Sequence, residues 1–239
     1  MLVENKFIPI GKVIKMNYFD MNNNQQTTLV TRRSGKKIIT KKICIHNNGN
    51  LLSFPIGERN WLLNPLNNRV ASWHECINES GSIIAIPWGE EAYHANTYKG
   101  NNESYSIEVC ERNFNLVYPK AVKRVAELLF LNKWDVSEVT THKAYSGKNC
   151  PSMLLPIWDS FISDIKIELD KLKEVKIMYE TSTWAIEAQK WNMDNGISSG
   201  DYPKNLVTRE EIWVMNKRVY ELAKKDAIDE IVRRIKDED

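Results

Sequence analysis

The chain has 239 residues, with 33 basic against 31 acidic side chains and a formal net charge of +2. Such a length buries a full core and suits one enzyme-sized domain with a small appendage. The balanced charge, without a dense basic run, argues against a nucleic-acid partner, and the lack of any apolar window of about 20 residues argues against membrane insertion.

The opening segment, Met1-Leu2-Val3-Glu4-Asn5-Lys6-Phe7, lacks the basic start and unbroken apolar core of a signal peptide, so a cytoplasmic protein is expected. In that setting the four cysteines, at 44, 76, 110 and 150, are expected to be reduced, with a metal role for at least one. Residues 1–40 show little periodicity, and the polar run 22–26 reads as a loop. Lys41 to His46 reads as a strand closed by Asn47-Asn48-Gly49-Asn50. Its alternation sets Ile43 and Ile45 on one face and Cys44 and His46 on the other.

A helix is predicted over 56–68 after Pro55, then strands over 71–77 and 82–86 joined by a turn at 78–81. A loop at 92–96 precedes a strand over 104–110, in which Ser106, Glu108 and Cys110 share a face. An acid within so apolar a strand is either an edge residue or a buried functional carboxylate. Residues 118–132 carry apolar side chains at helical spacing, and a short strand over 136–140 delivers His142. From Ile157 a further helix is predicted, with Trp158, Phe161, Ile162, Ile165 and Leu169 as its stripe, and its lysine- and glutamate-rich end over 166–177 reads as a linker. Beyond it lies a helix–loop–helix with a Gly196/Gly200 loop and a capping box from Thr208 to Glu211.

The densest chemistry lies in His142-Lys143-Ala144-Tyr145-Ser146-Gly147-Lys148-Asn149-Cys150-Pro151, read as a loop. Histidine and cysteine are preferred ligands of a borderline-soft ion such as zinc. The seven residues between them let the chain fold back so that both reach one ion. Lys148 sits at the rim, placed to meet developing negative charge.

Taken together, the segments at 43–50, 71–74, 93–95, 104–110 and 142–151 resemble, in order and spacing, the type 2 N-acetylmuramoyl-L-alanine amidases, whose fold is shared with peptidoglycan recognition proteins. The resemblance implies an α/β fold with a central mixed sheet flanked by helices, followed by a small C-terminal helical segment. The catalytic domain is taken as 1–170. Within the helical module over 178–239, the segment from Trp184 to Glu211 resembles a single S-layer-homology-type motif, which implies binding to cell wall or formation of a homodimer, against a helical hairpin that merely packs on the catalytic domain. By the amidase resemblance His46, His142 and Cys150 hold Zn2+, Glu108 acts as general base, and Lys148 steadies the oxyanion. Trp73, His74 and His94 fall near the substrate groove, where packing or hydrogen bonding weighs equally with direct contact for the two histidines. Trp73 stands where some relatives have a tyrosine, which leaves the acid–base work to Glu108. The implied activity is cleavage of the amide between N-acetylmuramic acid and L-alanine of bacterial peptidoglycan, by an endolysin held in the cytoplasm until lysis. The rival expectation is a protein of the same fold that grips muropeptides without cutting them.

Overall fold

A computed structural model describes residues 1–11, 13–19, 21–67, 69–179, 182–199 and 209–237. The described residues divide into two compact units, Met1–Asp170 and Lys171–Asp239. The first unit is built on eight strands: β1 (Leu2–Asn5), β2 (Val13–Phe19), β3 (Gln25–Thr31), β4 (Lys42–Asn47), β5 (Glu75–Ile77), β6 (Gly81–Ile84), β7 (Ser104–Val109) and β8 (Val139–Thr141). Its helices are α1 (Pro55–Leu63), α2 (Tyr98–Glu103), α3 (Phe114–Asn132) and α4 (His142–Ser146), together with the start of α5 (Trp158–Tyr179).

Six strands form a mixed sheet in the order β1-β6-β5-β7-β4-β8, and β2 with β3 forms a separate antiparallel hairpin. Only β5 and β6 run antiparallel within the large sheet. Parallel neighbours need covering on both faces, and the central strands comply: Ile43, Cys44, Ile45, Tyr105, Ile107 and Val109 are all buried. The register pairs Cys44 with Ser106 and His46 with Glu108, so their side chains share one face as alternation predicts. On that face Leu62 of α1 packs with Trp73, Cys76, Ala92 and Cys110. The other face carries Glu75 and Tyr105 and is covered by α3, whose Arg124 reaches down to Glu75 at 2.9 Å.

The α/β expectation holds, with several local corrections. The first 40 residues contain three strands where sequence alone showed no period. β1 lies at the sheet edge and only half its residues are partly buried, so no strong alternation was required of it. Strand 71–77 shortens to β5 because Ala71–His74 run outside the ladder, Ser72 pairing instead with Tyr93 through its backbone. The predicted helix 56–68 stops at Leu63, where the guanidinium of Arg32 takes the carbonyls of Leu62, Asn64 and Asn67 at 2.8, 3.1 and 2.8 Å. The helix end at 166–177, read as a linker, is the part of α5 in which the boundary between the two units falls, between Asp170 and Lys171; earlier in α5, Phe161, Ile165 and Leu169 are fully buried.

The second unit contains α6 (Ile186–Asp194) and α7 (Arg209–Asp237). Gly200 and the Thr208 capping residue lie outside the described residues. No helix among the described residues is long and apolar enough to cross a membrane.

Candidate metal centre and cleft

Three neighbouring segments bring the site together. His46 is the penultimate residue of β4, the strand flanked by β7 and β8. His142 follows β8 directly and, against the loop expectation, opens the short helix α4, whose first turn is capped by the Thr141 hydroxyl accepting from the Ala144 amide at 3.0 Å. Gly147 ends this helix at φ +75°, a left-handed conformation that glycine adopts without a Cβ penalty. The chain then turns back, and the Cys150 carbonyl accepts from the Lys143 amide at 2.9 Å. Asn47, next to His46, accepts from the Met153 amide at 2.9 Å and ties this returning segment to β4.

As a result Cys150 Sγ stands 3.8 Å from His46 Nδ1, and the His46 and His142 ring centroids are 4.6 Å apart. One ligand atom from each of His46, His142 and Cys150 falls within 4.8 Å of the others. Both ring nitrogens of His142 are buried, with no hydrogen-bond partner among the described residues. A buried, unmet imidazole is costly. Beside a thiol and a second imidazole, its lone pair suits a metal ion, so the donor set fits one.

Burial keeps these groups neutral. It lowers His46, helped by His94, His142 and Lys148, and it lowers His142 to about 4, helped by Lys148. Burial also pushes the Cys150 thiol up to about 11, so a metal must displace its proton. Glu108 lies 3.9 Å from His46 Nδ1, its side chain 15% exposed. Burial, with the charge of Glu58 close by, raises its carboxyl to about 8 against the opposing pull of Lys148.

A cleft of about 380 Å3 opens over this group. His46, Glu108, His142 and Cys150 line it, Lys148 stands exposed at its rim, and buried Trp73 forms part of its wall. His94 also lines the cleft, although its ring nitrogens meet His46 at 3.0 Å and Ser104 at 3.4 Å. His74 is fully buried and bonded through one nitrogen to Ser106 and through the other to the Glu90 carbonyl, and it is not among the lining residues. The geometry gives His74 a packing and hydrogen-bonding position.

Sequence reasoning missed Glu58, Arg69 and Asn96 in the cleft wall. Glu58 sits in the first turn of α1 and accepts from Asn48 Nδ2 at 3.2 Å. The Pro55 helix start was the signal for its place on the helix, but only the fold brings that turn beside β7.

A family profile described as N-acetylmuramoyl-L-alanine amidase matches residues 34–153. The N-acetylmuramoyl-L-alanine amidase CwlH of Bacillus subtilis (strain 168) is 27% identical over 182 residues, covering 73% of this chain and 69% of CwlH. The solved catalytic domain of XlyA is 26% identical, with a TM-score of 0.58 over 69% of this chain and 99% of that domain. A mutant endolysin from Bacillus subtilis is 27% identical, with a TM-score of 0.57 over 69% of this chain and 98% of its own.

Proposed function

Because this chain belongs to the N-acetylmuramoyl-L-alanine amidase family, we propose that it is a peptidoglycan hydrolase of endolysin type. It cuts the amide between the lactyl group of N-acetylmuramic acid and L-alanine of the stem peptide. The observation that carries this reading is the convergence of His46, His142 and Cys150 on one point beside Glu108, at the floor of an open cleft.

The metal we assign is zinc, held by His46 and His142 through ring nitrogens and by Cys150 through a thiolate, a three-residue set that leaves a position for solvent. Zinc, when bound, supplies a Lewis acid that brings a water's pKa towards about 7 and polarises the scissile carbonyl. Glu108 takes the proton of the attacking water and returns it to the alanine nitrogen as the C–N bond breaks, leaving a lactyl carboxylate and a free amine. A carboxyl whose proton affinity is raised by burial suits both halves of that transfer. Lys148, at the rim, meets the negative charge that collects on the carbonyl oxygen. Trp73 and His94 border the substrate's path. To the C-terminal unit, with Trp184, Trp191 and Trp213 exposed, we assign wall attachment or pairing of two chains.

A wall-turbidity assay with and without chelator tests the assignment. Clearing is expected to stop in chelator and return with added zinc, and lysis undiminished by a strong chelator sinks it. Cys150→Ser is expected to abolish turnover while muropeptide binding persists, which separates a hydrolase from a protein that only grips its ligand.

A further inference from the structure

His46 carries ring nitrogens on two sides, and only one of them faces the candidate metal. Nδ1 points towards Cys150 and Glu108, whereas Nε2 lies 3.0 Å from His94 Nδ1 and 3.2 Å from Cys44 Sγ. Which nitrogen keeps the proton decides whether His46 can be a ligand at all. The surrounding hydrogen bonds settle the question in sequence.

Ser104 fixes the first proton. Its hydroxyl lies 2.7 Å from the Gly100 carbonyl, which can only accept. The neighbouring Tyr145 phenol gives its own hydrogen to Glu103 at 3.0 Å. Ser104 Oγ therefore faces His94 Nε2, at 3.4 Å, as an acceptor, and His94 must carry its proton on Nε2. His94 Nδ1 is then bare. At 3.0 Å between two ring nitrogens one must donate, so the proton sits on His46 Nε2. His46 Nδ1 is left as a lone pair aimed at the metal position.

We propose that Ser104 and His94 form a relay that fixes the tautomer and ring orientation of His46 for zinc, making both of them positioning residues. The inference rests on the zinc reading above. His94 is itself held firmly, because Asn101 Oδ1 accepts from the backbone amides of His94 and Ala95 at 3.0 and 2.8 Å. Asn101 belongs to α2, the helix that ends at Glu103 just before Ser104. One short helix thus sets both ends of the relay. Cys44, His46 and His94 also have ligand atoms close enough to hold a metal between them. The relay assigns these atoms to a hydrogen bond, with Cys44 as a weak bystander to the shared proton. Outer partners of this kind commonly change metal affinity by about 10- to 100-fold.

Two measurements test the relay. In the metal-free wild-type protein, long-range nitrogen–proton correlation spectra of the histidine rings, assigned by single replacements, are expected to show both His46 and His94 protonated on Nε2. A proton on Nδ1 of either ring overturns the proposal. Competition titration with a zinc chelator is expected to show about 10- to 100-fold weaker binding in His94→Leu. His94→Asn, which restores an acceptor at the Nδ1 position, should recover most of that loss. Equal affinity in wild type and His94→Leu overturns the relay, as does an equal loss in both variants. So does a second zinc equivalent that disappears in Cys44→Ala. If the wild type binds no zinc, the assigned metal fails, yet the ring-proton spectra still judge the relay, since they need no metal and no His94 variant that folds.

Discussion

Glu108 sits in a strand otherwise filled with apolar side chains, and its charge is tuned by neighbours that are distant in sequence. Burial, the Glu58 carboxylate and Glu111 all raise its proton affinity, while Lys148 lowers it. As general base it must be deprotonated, so activity falls as pH drops through its folded pKa. Removing the negative charge of Glu58 lowers that pKa, because one anion fewer then opposes ionisation. Glu58→Gln is therefore expected to move the acidic limb of the kcat/KM profile to lower pH, and a limb that stays put or moves up argues against Glu108 as the titrating group. Glu108→Gln should cut kcat by about 10^2- to 10^4-fold while metal content is retained. Loss of metal in that variant would instead give Glu108 a supporting part around His46.

At the scale of elements, α3 is fastened to the sheet by a buried carboxylate. Glu75 of β5 is fully buried, and its two oxygens receive Arg124 Nε and Nη2 at 2.9 and 3.2 Å, the Tyr105 hydroxyl at 3.0 Å, and the Ser82 hydroxyl. Every acceptor direction is used, which is the condition under which a buried charge is tolerated. Arg124→Met removes the counter-charge and leaves the anion in place, so a loss of about 3–5 kcal/mol is expected in urea unfolding. Adding Glu75→Gln to Arg124→Met should recover part of that loss, and a double variant no better than the single one argues against an uncompensated charge as the cause. This cluster lies on the face of the sheet opposite Glu108, so the residual folded population of either variant should keep its kcat.

Across the first unit, Glu90 ties the chain's beginning to its middle. It receives Arg33 at 2.7 and 3.1 Å and Lys37 at 3.0 Å, and Arg33 in turn bonds the Ile8 carbonyl at 2.7 Å. The hydrogen bond from Arg33 holds its carboxyl below the ordinary carboxylate value, against the opposing effect of burial. A depressed folded pKa means stability that is fully present above the unfolded pKa and is lost as pH falls through the folded one. Acid titration of the wild type should therefore show unfolding with proton uptake beginning below about pH 4.5. Glu90→Gln should be less stable at neutral pH and lose less between neutral and acid, and an unchanged acid slope refutes the assignment. All the proposed site residues lie within Met1–Asp170. A chain ending at Tyr179, which keeps α5 whole, is thus expected to hydrolyse soluble muropeptides as the full chain does, and a collapse of that activity would place the C-terminal unit in the chemistry.

The α/β class came from the resemblance of the ordered motifs to a known family; by itself the sequence determined that Cys44 shares a face with His46 in one strand and Ser106 with Glu108 in another, and that His142 lies near Cys150. Those features are local: strand parity fixes a face within one segment, and a capped turn closing on glycine returns the chain within a few residues. The strand β1 was not legible because an edge strand needs no continuous buried face, and β2 and β3 were not legible because residues 13–31 show little periodicity. Only the tertiary structure set Glu58 against Glu108, turned His74 away from the cleft, and lined up Ser104, His94 and His46 so that one nitrogen is left bare. Each of those depends on which strand lies beside which and in what register, and a parallel pairing such as β4 with β7 joins residues about sixty positions apart. No local propensity or spacing carries that information, since it is fixed by packing of the whole sheet.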